Sequence, residues 1–95
     1  MTNDHIELGK NEDAGRYELH LNGQLVSRAD YRRTGAVVII PHTETVPAFG
    51  GRGLAGRLVK FALDDIAASG LKVNPACPFV AAYIRKNSQY ADLVA

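Results

Sequence analysis

This chain of 95 residues has few or none of several sequence features, and each absence excludes a class of protein to which it could belong. The single cysteine, Cys77, excludes an internal disulfide framework and a cysteine-rich zinc site. No apolar run approaches the roughly 20 residues of a transmembrane helix. The N-terminal stretch MTNDHIELGKNED has no apolar signal-peptide segment. We therefore expect a cytoplasmic protein without a bound metal.

The chain also lacks a large excess of either positive or negative charge. Eleven basic and ten acidic side chains give a net charge of +1, so there is no basic field for nucleic acid and no polybasic stretch for a membrane surface. A hydrophobic content of 46% is ordinary for a globular protein, and the length suits one domain over residues 1–95.

The first half of the sequence predicts an antiparallel meander. Residues 1–13 are polar and of mixed charge, which indicates a loose lead-in or a short edge strand. RYELHL alternates apolar and polar residues, and Asn22-Gly23 is a strong hairpin signal before the return strand. A second turn at Thr34-Gly35 leads into the buried strand AVVII, where Pro41 should end regular pairing or mark a bulge.

In the second half of the sequence, the spacing of apolar residues changes from that of a strand to that of a helix. An apolar stripe predicts a helix from Leu54 to about Ser69, and Gly70 supplies its stop. LKVN reads as a short strand. Pro78 suits the first position of a second helix, which places Cys77 at its N-cap. The order β-β-β-α-β-α predicts an α+β fold: a mixed sheet with two helices packed on it.

The glycine cluster GGRGLAG, residues 50–56, matches two phosphate-binding fingerprints only in part. The dinucleotide pattern Gly-x-Gly-x-x-Gly is present, but the acidic residue expected about 20 positions later is missing. The P-loop pattern fails because Arg57 and Leu58 replace Lys and Ser or Thr. Two interpretations stay open: a turn that starts a helix, or backbone N–H groups at a helix N-terminus that bind phosphate.

From residue 50 to residue 63, the sequence resembles the GNAT acyltransferases. GGRGLAGRLVKFAL is similar to their acetyl-CoA loop and helix, Gln/Arg-x-x-Gly-x-Gly/Ala, with Gly53 and Ala55 in the last two positions and Gly50 where Gln or Arg is usual. RYELHLNGQLVSRADYR, HTETVPAFGGRGLAGRLVKFAL and KVNPACPFVAAYIRKNSQYADLV extend the resemblance over residues 15–95, to the small stand-alone GNAT-like N-acetyltransferases of about a hundred residues.

This resemblance implies acetyl-CoA as acyl donor. The pantetheine arm would run between splayed strands beside Val38, Ile39 and Ile40, and the pyrophosphate would sit on amides of the glycine loop. The residues expected at the cofactor are Val38, Ile39, Ile40, Gly51, Arg52, Gly53, Leu54, Ala55, Gly56, Arg57, Lys86 and Asn87. Asn87 has the alternative role of capping its helix.

Cys77 is the most informative candidate for catalysis. A thiol at a helix N-cap gains thiolate character from the helix dipole. It could take the acetyl group and pass it on, or it could be a small, buried, inert cysteine.

Three further residues are candidates for proton transfer. His42 and Glu44 follow the buried strand and share a face if the segment stays extended, so either could take a proton from an amine or from Cys77. The resemblance favours His42. It also places Tyr83 where a tyrosine donates to the sulfur of coenzyme A; packing against the sheet is the alternative.

Two functions stay open. The first is an acetyltransferase that acts on an amine of a peptide, a protein or a polyamine-like small molecule. The second is a coenzyme A-binding module, weakly catalytic or inactive, that regulates or assists another protein. Because Asn22-Gly23 joins two strands directly, the helices that usually wall the acceptor site in the family are missing. The acceptor site is therefore open, or a second subunit completes it, and an open face suits a peptide or protein terminus better than a small metabolite. We expect a monomer or a weak homodimer.

Overall fold

The computed structural model describes residues 4–95, and residues 1–3 of the expected lead-in lie outside them. The strands are β1 (Ile6–Asn11), β2 (Arg16–Leu21), β3 (Gln24–Thr34), β4 (Val37–Thr45) and β5 (Lys72–Asn74). The helices are α1 (Leu54–Ala68) and α2 (Pro78–Lys86), with short 3-10 helices at Pro47–Phe49 and Ser88–Leu93.

The five strands form one sheet in the order β1-β2-β3-β4-β5. The first four are antiparallel, and β5 returns parallel to β4 after α1 crosses over. This confirms the predicted mixed sheet with two helices. The hairpin between β2 and β3 turns at Asn22 and Gly23, whose φ angles of 52° and 85° fit the type I′ turn that their sequence predicts.

The polar N-terminal segment contributes a fourth antiparallel strand that the predicted order omitted. β1 pairs with β2 along its whole length, so the edge-strand alternative is correct for Ile6–Asn11. Ile6 and Leu8 pack against the core although polar residues separate them. Apart from Met1, Ile6 and Leu8 are the only apolar residues among positions 1–13, and this alternation is too short to be decisive.

Helix α1 covers one face of the sheet, which we call the inner face. Its buried side chains are Leu54, Leu58, Val59, Ala62, Leu63 and Ile66, and they pack with Tyr17, Leu19 and Leu21 of β2. Gly53 at the N-cap and Gly70 beyond the C-cap have φ angles of 75° and 73°, a conformation that disfavours side chains. These glycines fix both ends of the helix.

The C-terminal residues dock as predicted. The hydroxyl of Tyr90 donates to Oδ1 of Asp64 on α1 at 2.6 Å, and Val94 forms a parallel bridge with Val73 of β5. Helix α2 is thereby held beside α1.

A bulge in β4 decides which side chains face α1. Asp30 of β3 pairs with His42, but Arg32 pairs with Ile39, so Tyr31 alone lies opposite two residues, Ile40 and Pro41. This confirms the predicted bulge at the proline. It also shifts the alternation by one residue, so that Thr43 lies on the inner face and His42 on the opposite, outer face.

Both helices begin at the same end of the sheet. β4 and β5 are parallel, α1 follows β4, and α2 follows β5, so both helix N-termini lie at the carboxyl ends of these strands. The hairpin at Asn22 and the start of β1 lie at this end too, because β1 and β3 run antiparallel to β2 and β4, respectively. Ligands bind at such strand ends in open α/β sheets.

Candidate active site

The candidate site lies where β4 and β5 part. Their pairing ends at Ile39 opposite Asn74, and the N–H of Cys77 then donates to the carbonyl oxygen of Ile40 at 2.8 Å. Beyond this bond, β4 continues to Thr45 without a strand on that side, while α2 begins next to it. A cleft with one backbone edge and one helix N-terminus results.

Cys77 lies in this cleft at the N-cap position that the sequence predicts. Its side chain is buried, and Sγ lies 3.5 Å from Oγ1 of Thr43. Thr43 was not among the predicted site residues. In the sequence, only its place between His42 and Glu44 pointed to it. The bulge at Pro41 must be known before Thr43 can be assigned to the same face as Cys77.

The surroundings of Cys77 favour its thiolate. Burial alone raises the pKa of the thiol, but hydrogen bonding by the Thr43 hydroxyl and by backbone N–H groups of Val80, Phe79 and Thr43 outweighs it, so that the pKa lies below the ordinary value. The N–H groups of Phe79 and Val80 approach Sγ without the geometry of a regular capping hydrogen bond. The helix amides therefore act mainly as dipoles pointed at the sulfur.

His42 and Glu44 form a separate pair on the outer face. Nε2 of His42 lies 3.3 Å from Oε2 of Glu44, and the guanidinium of Arg28 lies 3.1 Å from the same oxygen. Hydrogen bonding from His42 and the charge of Arg28 hold the pKa of Glu44 below its usual value. Glu44 is thus a weak base that orients His42, the better candidate of the two.

The structure brings Cys77 and Thr43 together, and His42 and Glu44 together, but no contact within residues 4–95 joins the two pairs. The bulge explains this separation, since neighbouring residues of a strand point to opposite faces. His42 and Thr43 are nevertheless adjacent in the chain. A substrate at the free edge of β4 can therefore approach both faces.

The splayed edge expected beside Val38, Ile39 and Ile40 lies elsewhere, and their contact with the cofactor stays a prediction. β4 pairs with β5 through Ile39, and the carbonyl of Ile40 accepts from Cys77. This segment therefore has no splayed edge for a pantetheine arm. The bulge at Pro41 moves the free edge to the segment 41–45, further along β4 than the sequence predicted.

The glycine loop is open where phosphate is expected. Gly51 and Gly53 have φ angles of 78° and 75°, and a side chain added at either would meet no atom within 4 Å. Gly50 and Gly56 have no positive φ, and an added Cβ would meet Pro47 O at 3.4 Å and the Tyr83 ring at 3.8 Å, respectively. The backbone conformation thus requires glycine at positions 51 and 53. It does not explain the glycines at positions 50 and 56.

The predicted cofactor residues differ in their surroundings. Leu54 and Ala55 form the first turn of α1 with no acidic residue nearby in that turn, and Arg57 is exposed there. Arg52 is an ion-pair partner of Asp4. Asn87 caps α2, with its side-chain N–H donating to the carbonyl of Tyr83 at 2.9 Å.

Lys86 and Tyr83 lie further along α2. Lys86 is exposed at the end of this nine-residue helix opposite Cys77. Tyr83 is half-buried between Gly56 of α1 and Tyr90, whose ring centroid is 6.1 Å away. Tyr83 thus lies beside the first turn of α1, at the side of the molecule where the glycine loop lies.

Other cavities and clusters do not coincide with these residues. A groove of about 460 Å³ lies along β1 and β2 and is lined by Glu7, Glu12, Asp13 and Glu18 among others. Within the described chain, no three His, Cys, Asp or Glu side chains are grouped to hold a metal ion. No helix in residues 4–95 is long and apolar enough to cross a membrane.

Residues 16–93 match the sequence profile of the GCN5-related N-acetyl-transferase family. The chain belongs to this family. A 51-residue segment is 37% identical to protein NATD1 of Gallus gallus and of Homo sapiens. It covers 54% of this chain and 46% and 45% of those proteins, respectively, so the match spans just under half of the length of these relatives.

Two solved structures share the fold. A GCN5-like protein of Staphylococcus aureus superimposes with a TM-score of 0.70 and 22% identity, over all of this chain and 91% of its own. The ribosomal-protein-S18-alanine N-acetyltransferase of Escherichia coli gives 0.65 and 15%, over 81% of this chain and 53% of its own. Identities this low establish similarity of fold alone.

The contact between Thr43 and Cys77 yields a prediction about thiol reactivity. Replacing Thr43 by Val, which has the same shape but no hydroxyl, removes one of the contacts that lower the pKa of Cys77. The rate of alkylation by iodoacetamide should then reach half its maximum at a higher pH than in the wild type. At a pH below the wild-type midpoint, alkylation of T43V should be slower because less thiolate is present.

The matched control is T43S, which keeps the hydroxyl and should keep the wild-type pH profile. Identical profiles for wild type, T43V and T43S would show that Thr43 does not influence the thiol.

Proposed function

We propose that this chain is an acetyl-CoA-dependent N-acetyltransferase in which Cys77 accepts the acetyl group and passes it to an amine. One observation carries the proposal: the thiol lies at a helix N-terminus beside the free edge of β4, with its pKa lowered. The glycine loop begins α1 at the same end of the sheet. Family membership supplies the reaction class.

The loop suits a diphosphate. Backbone N–H groups from Gly51 to Ala55 lie at the positive end of the α1 dipole, and no carboxylate in the first turn opposes an anion. The missing side chain at Gly56 leaves the first turn of α1 open next to Tyr83. The free edge of β4 at segment 41–45 then leads from the loop towards Cys77 and would pair with the amides of the pantetheine arm.

In the first half-reaction, the thiolate of Cys77 attacks the carbonyl carbon of the thioester. A carbon–sulfur bond to Cys77 forms, and the bond to the sulfur of coenzyme A breaks. Tyr83 is proposed to protonate the departing thiolate. The helix amides and Thr43 hold the Cys77 sulfur in place for the attack.

In the second half-reaction, the amine nitrogen attacks the acetyl carbon on Cys77, the carbon–sulfur bond breaks, and Cys77 leaves as thiolate. An acceptor that binds as ammonium first loses one proton to water, since only the neutral amine can attack. The second proton leaves the nitrogen as the amide forms, and His42 accepts it while Glu44 orients the imidazole through its 3.3 Å contact. The same amides and hydroxyl that stabilise the thiolate as nucleophile stabilise it as leaving group.

The acceptor is proposed to be a cationic amine on an apolar stem, as in a peptide, a protein or a polyamine-like molecule. A shallow groove of about 170 Å³ next to Glu44 is lined by Leu25, Val46 and Pro47. Glu44 keeps its charge because its pKa is lowered. The groove thus offers apolar contact beside a carboxylate. Arg28 pairs with this carboxylate and also lines the groove, so an ammonium group would share Glu44 with the guanidinium.

A coenzyme A-binding module without turnover is the second candidate. Two observations favour it: Gly50 replaces the side chain usual in the family's loop, and His42 does not contact Cys77. A monomer or weak homodimer in the cytoplasm belongs to both proposals.

Mass spectrometry after mixing with acetyl-CoA tests the covalent route. An acetyl adduct should form on Cys77, the chain's one cysteine, with release of free coenzyme A, and it should disappear when an amine acceptor is added. C77S should form no such thioester. Acetyl transfer to the amine without any adduct would contradict the covalent route.

Thermal unfolding with coenzyme A separates the two functions. At a hundred times the dissociation constant, occupancy should add about 2.7 kcal/mol to the free energy of unfolding. Stabilisation without turnover above hydrolysis would favour the binding module. No stabilisation at any concentration would contradict both.

Replacing Gly56 by Ala should affect stability and binding in opposite directions. Alanine in the helix should raise the free energy of unfolding by about 0.5–1 kcal/mol, because the new Cβ meets only the Tyr83 ring at ordinary contact distance. The same methyl group should weaken coenzyme A binding if the diphosphate approaches this turn. Urea unfolding and calorimetric titration measure the two effects, and unchanged affinity would show that the ligand does not approach Gly56.

A further inference from the structure

The one arginine inside the glycine loop already has an anionic partner. Nη2 of Arg52 donates to Oδ2 of Asp4 at 2.9 Å, although 48 residues separate the two in sequence. Asp4 precedes β1, which lies at the opposite edge of the sheet from β5. The ion pair therefore spans the end of the sheet at which the two helices begin.

Asp4 is held in position from its other side. Nδ2 of Asn22, at the tip of the hairpin, donates to Oδ1 of Asp4 at 3.3 Å. The N–H of His5 donates to Oδ1 of the same asparagine at 2.8 Å, and the N–H of Asn22 donates to the carbonyl of His5 at 2.8 Å. The hairpin thus fixes the segment that carries the carboxylate.

Arg52 is positioned as well. Its guanidinium lies 5.6 Å from the centroid of the Phe49 ring, and its side chain is 45% exposed. Its charge is thus directed at a carboxylate of the same molecule. A phosphate on the loop amides would compete for the same guanidinium, whose fork geometry suits phosphate as well as carboxylate.

We propose that Asp4 sets the affinity of the glycine loop for coenzyme A by competing with the diphosphate for Arg52. This inference rests on the proposed function, because it takes the loop to be the diphosphate site. On binding, Arg52 leaves Asp4 and turns to the phosphate, while the hairpin keeps Asp4 in place. Asp4 is thus a determinant of ligand affinity that never contacts the reacting atoms.

The test is a double-mutant cycle on the full-length chain, with coenzyme A affinity measured by calorimetric titration at low ionic strength. D4N removes the charge but keeps an oxygen for Asn22. It should bind coenzyme A about two- to fivefold more tightly than the wild type, the range expected for an exposed ion pair. R52A should bind more weakly than the wild type. On the R52A background, D4N should lose most of its effect, because no guanidinium is left to release.

E7Q is the matched control. Glu7 is an exposed carboxylate of the same N-terminal segment, and its ion-pair partner is His5. E7Q should bind like the wild type. If it tightens binding as much as D4N does, the effect is one of total charge and the inference is overturned. Equal tightening by D4N with and without Arg52 overturns it for the same reason.

The remaining outcomes separate this inference from the proposed function. Binding by the wild type with an unchanged or weaker affinity in D4N contradicts the role of Asp4 and leaves the proposed function standing. Absence of coenzyme A binding in every variant refutes the proposed function and the role of Asp4 with it. Inhibition of binding by inorganic pyrophosphate should also strengthen in D4N, since pyrophosphate presents only the competing group.

Discussion

The hydrogen bond from the N–H of Cys77 to the carbonyl of Ile40 is the contact on which the candidate site depends. Within residues 4–95 it is the last backbone–backbone hydrogen bond between β4 and the chain that follows β5, and the next residue begins α2. Shifting it by one residue would move the thiol away from Thr43 and bring a different part of β4 to the free edge. The bond thus fixes the cleft, the position of the sulfur and the start of the helix whose amides surround it.

The bulge at Pro41 works with this bond. Without the extra residue, the alternation of β4 would turn His42 and Glu44 towards α1 and Thr43 away from it. With it, a hydroxyl faces the thiol and the imidazole–carboxylate pair faces solvent. One inserted residue therefore separates the group that stabilises a thiolate from the group that can take a proton from an amine.

Local signals in the sequence predicted the parts of the fold that depend on neighbours in the chain. Asn22-Gly23, the apolar stripe of α1 and the Pro78 that follows Cys77 all have their expected structures. Features that depend on distant residues were missed or wrong. Thr43 meets Cys77 only because strands β4 and β5 are paired, and Val38–Ile40 lack a free edge for the same reason.

Two kinds of positive charge lie at this end of the sheet: the helix N-termini and the guanidinium of Arg52. The helix N-termini favour anions, which in the proposal are the thiolate of Cys77 and a phosphate at the loop. Arg52, in the same loop, is paired with a carboxylate of the chain itself. Asp4 supplies this carboxylate from 48 residues away, which no sequence pattern indicates. In the proposal, the arginine of the glycine loop leaves Asp4 when the diphosphate of coenzyme A binds.

Titration of ¹⁵N-labelled protein with coenzyme A tests the central claim most directly, because the backbone amides themselves form the proposed site. Resonances of Thr43, Gly51, Gly53 and Cys77 should shift together with one saturating concentration dependence, while those of Gly35 and Gly70, at the opposite end of the sheet, should not. Shifts confined to the groove between β1 and β2, or to the opposite end of the sheet, would contradict the account.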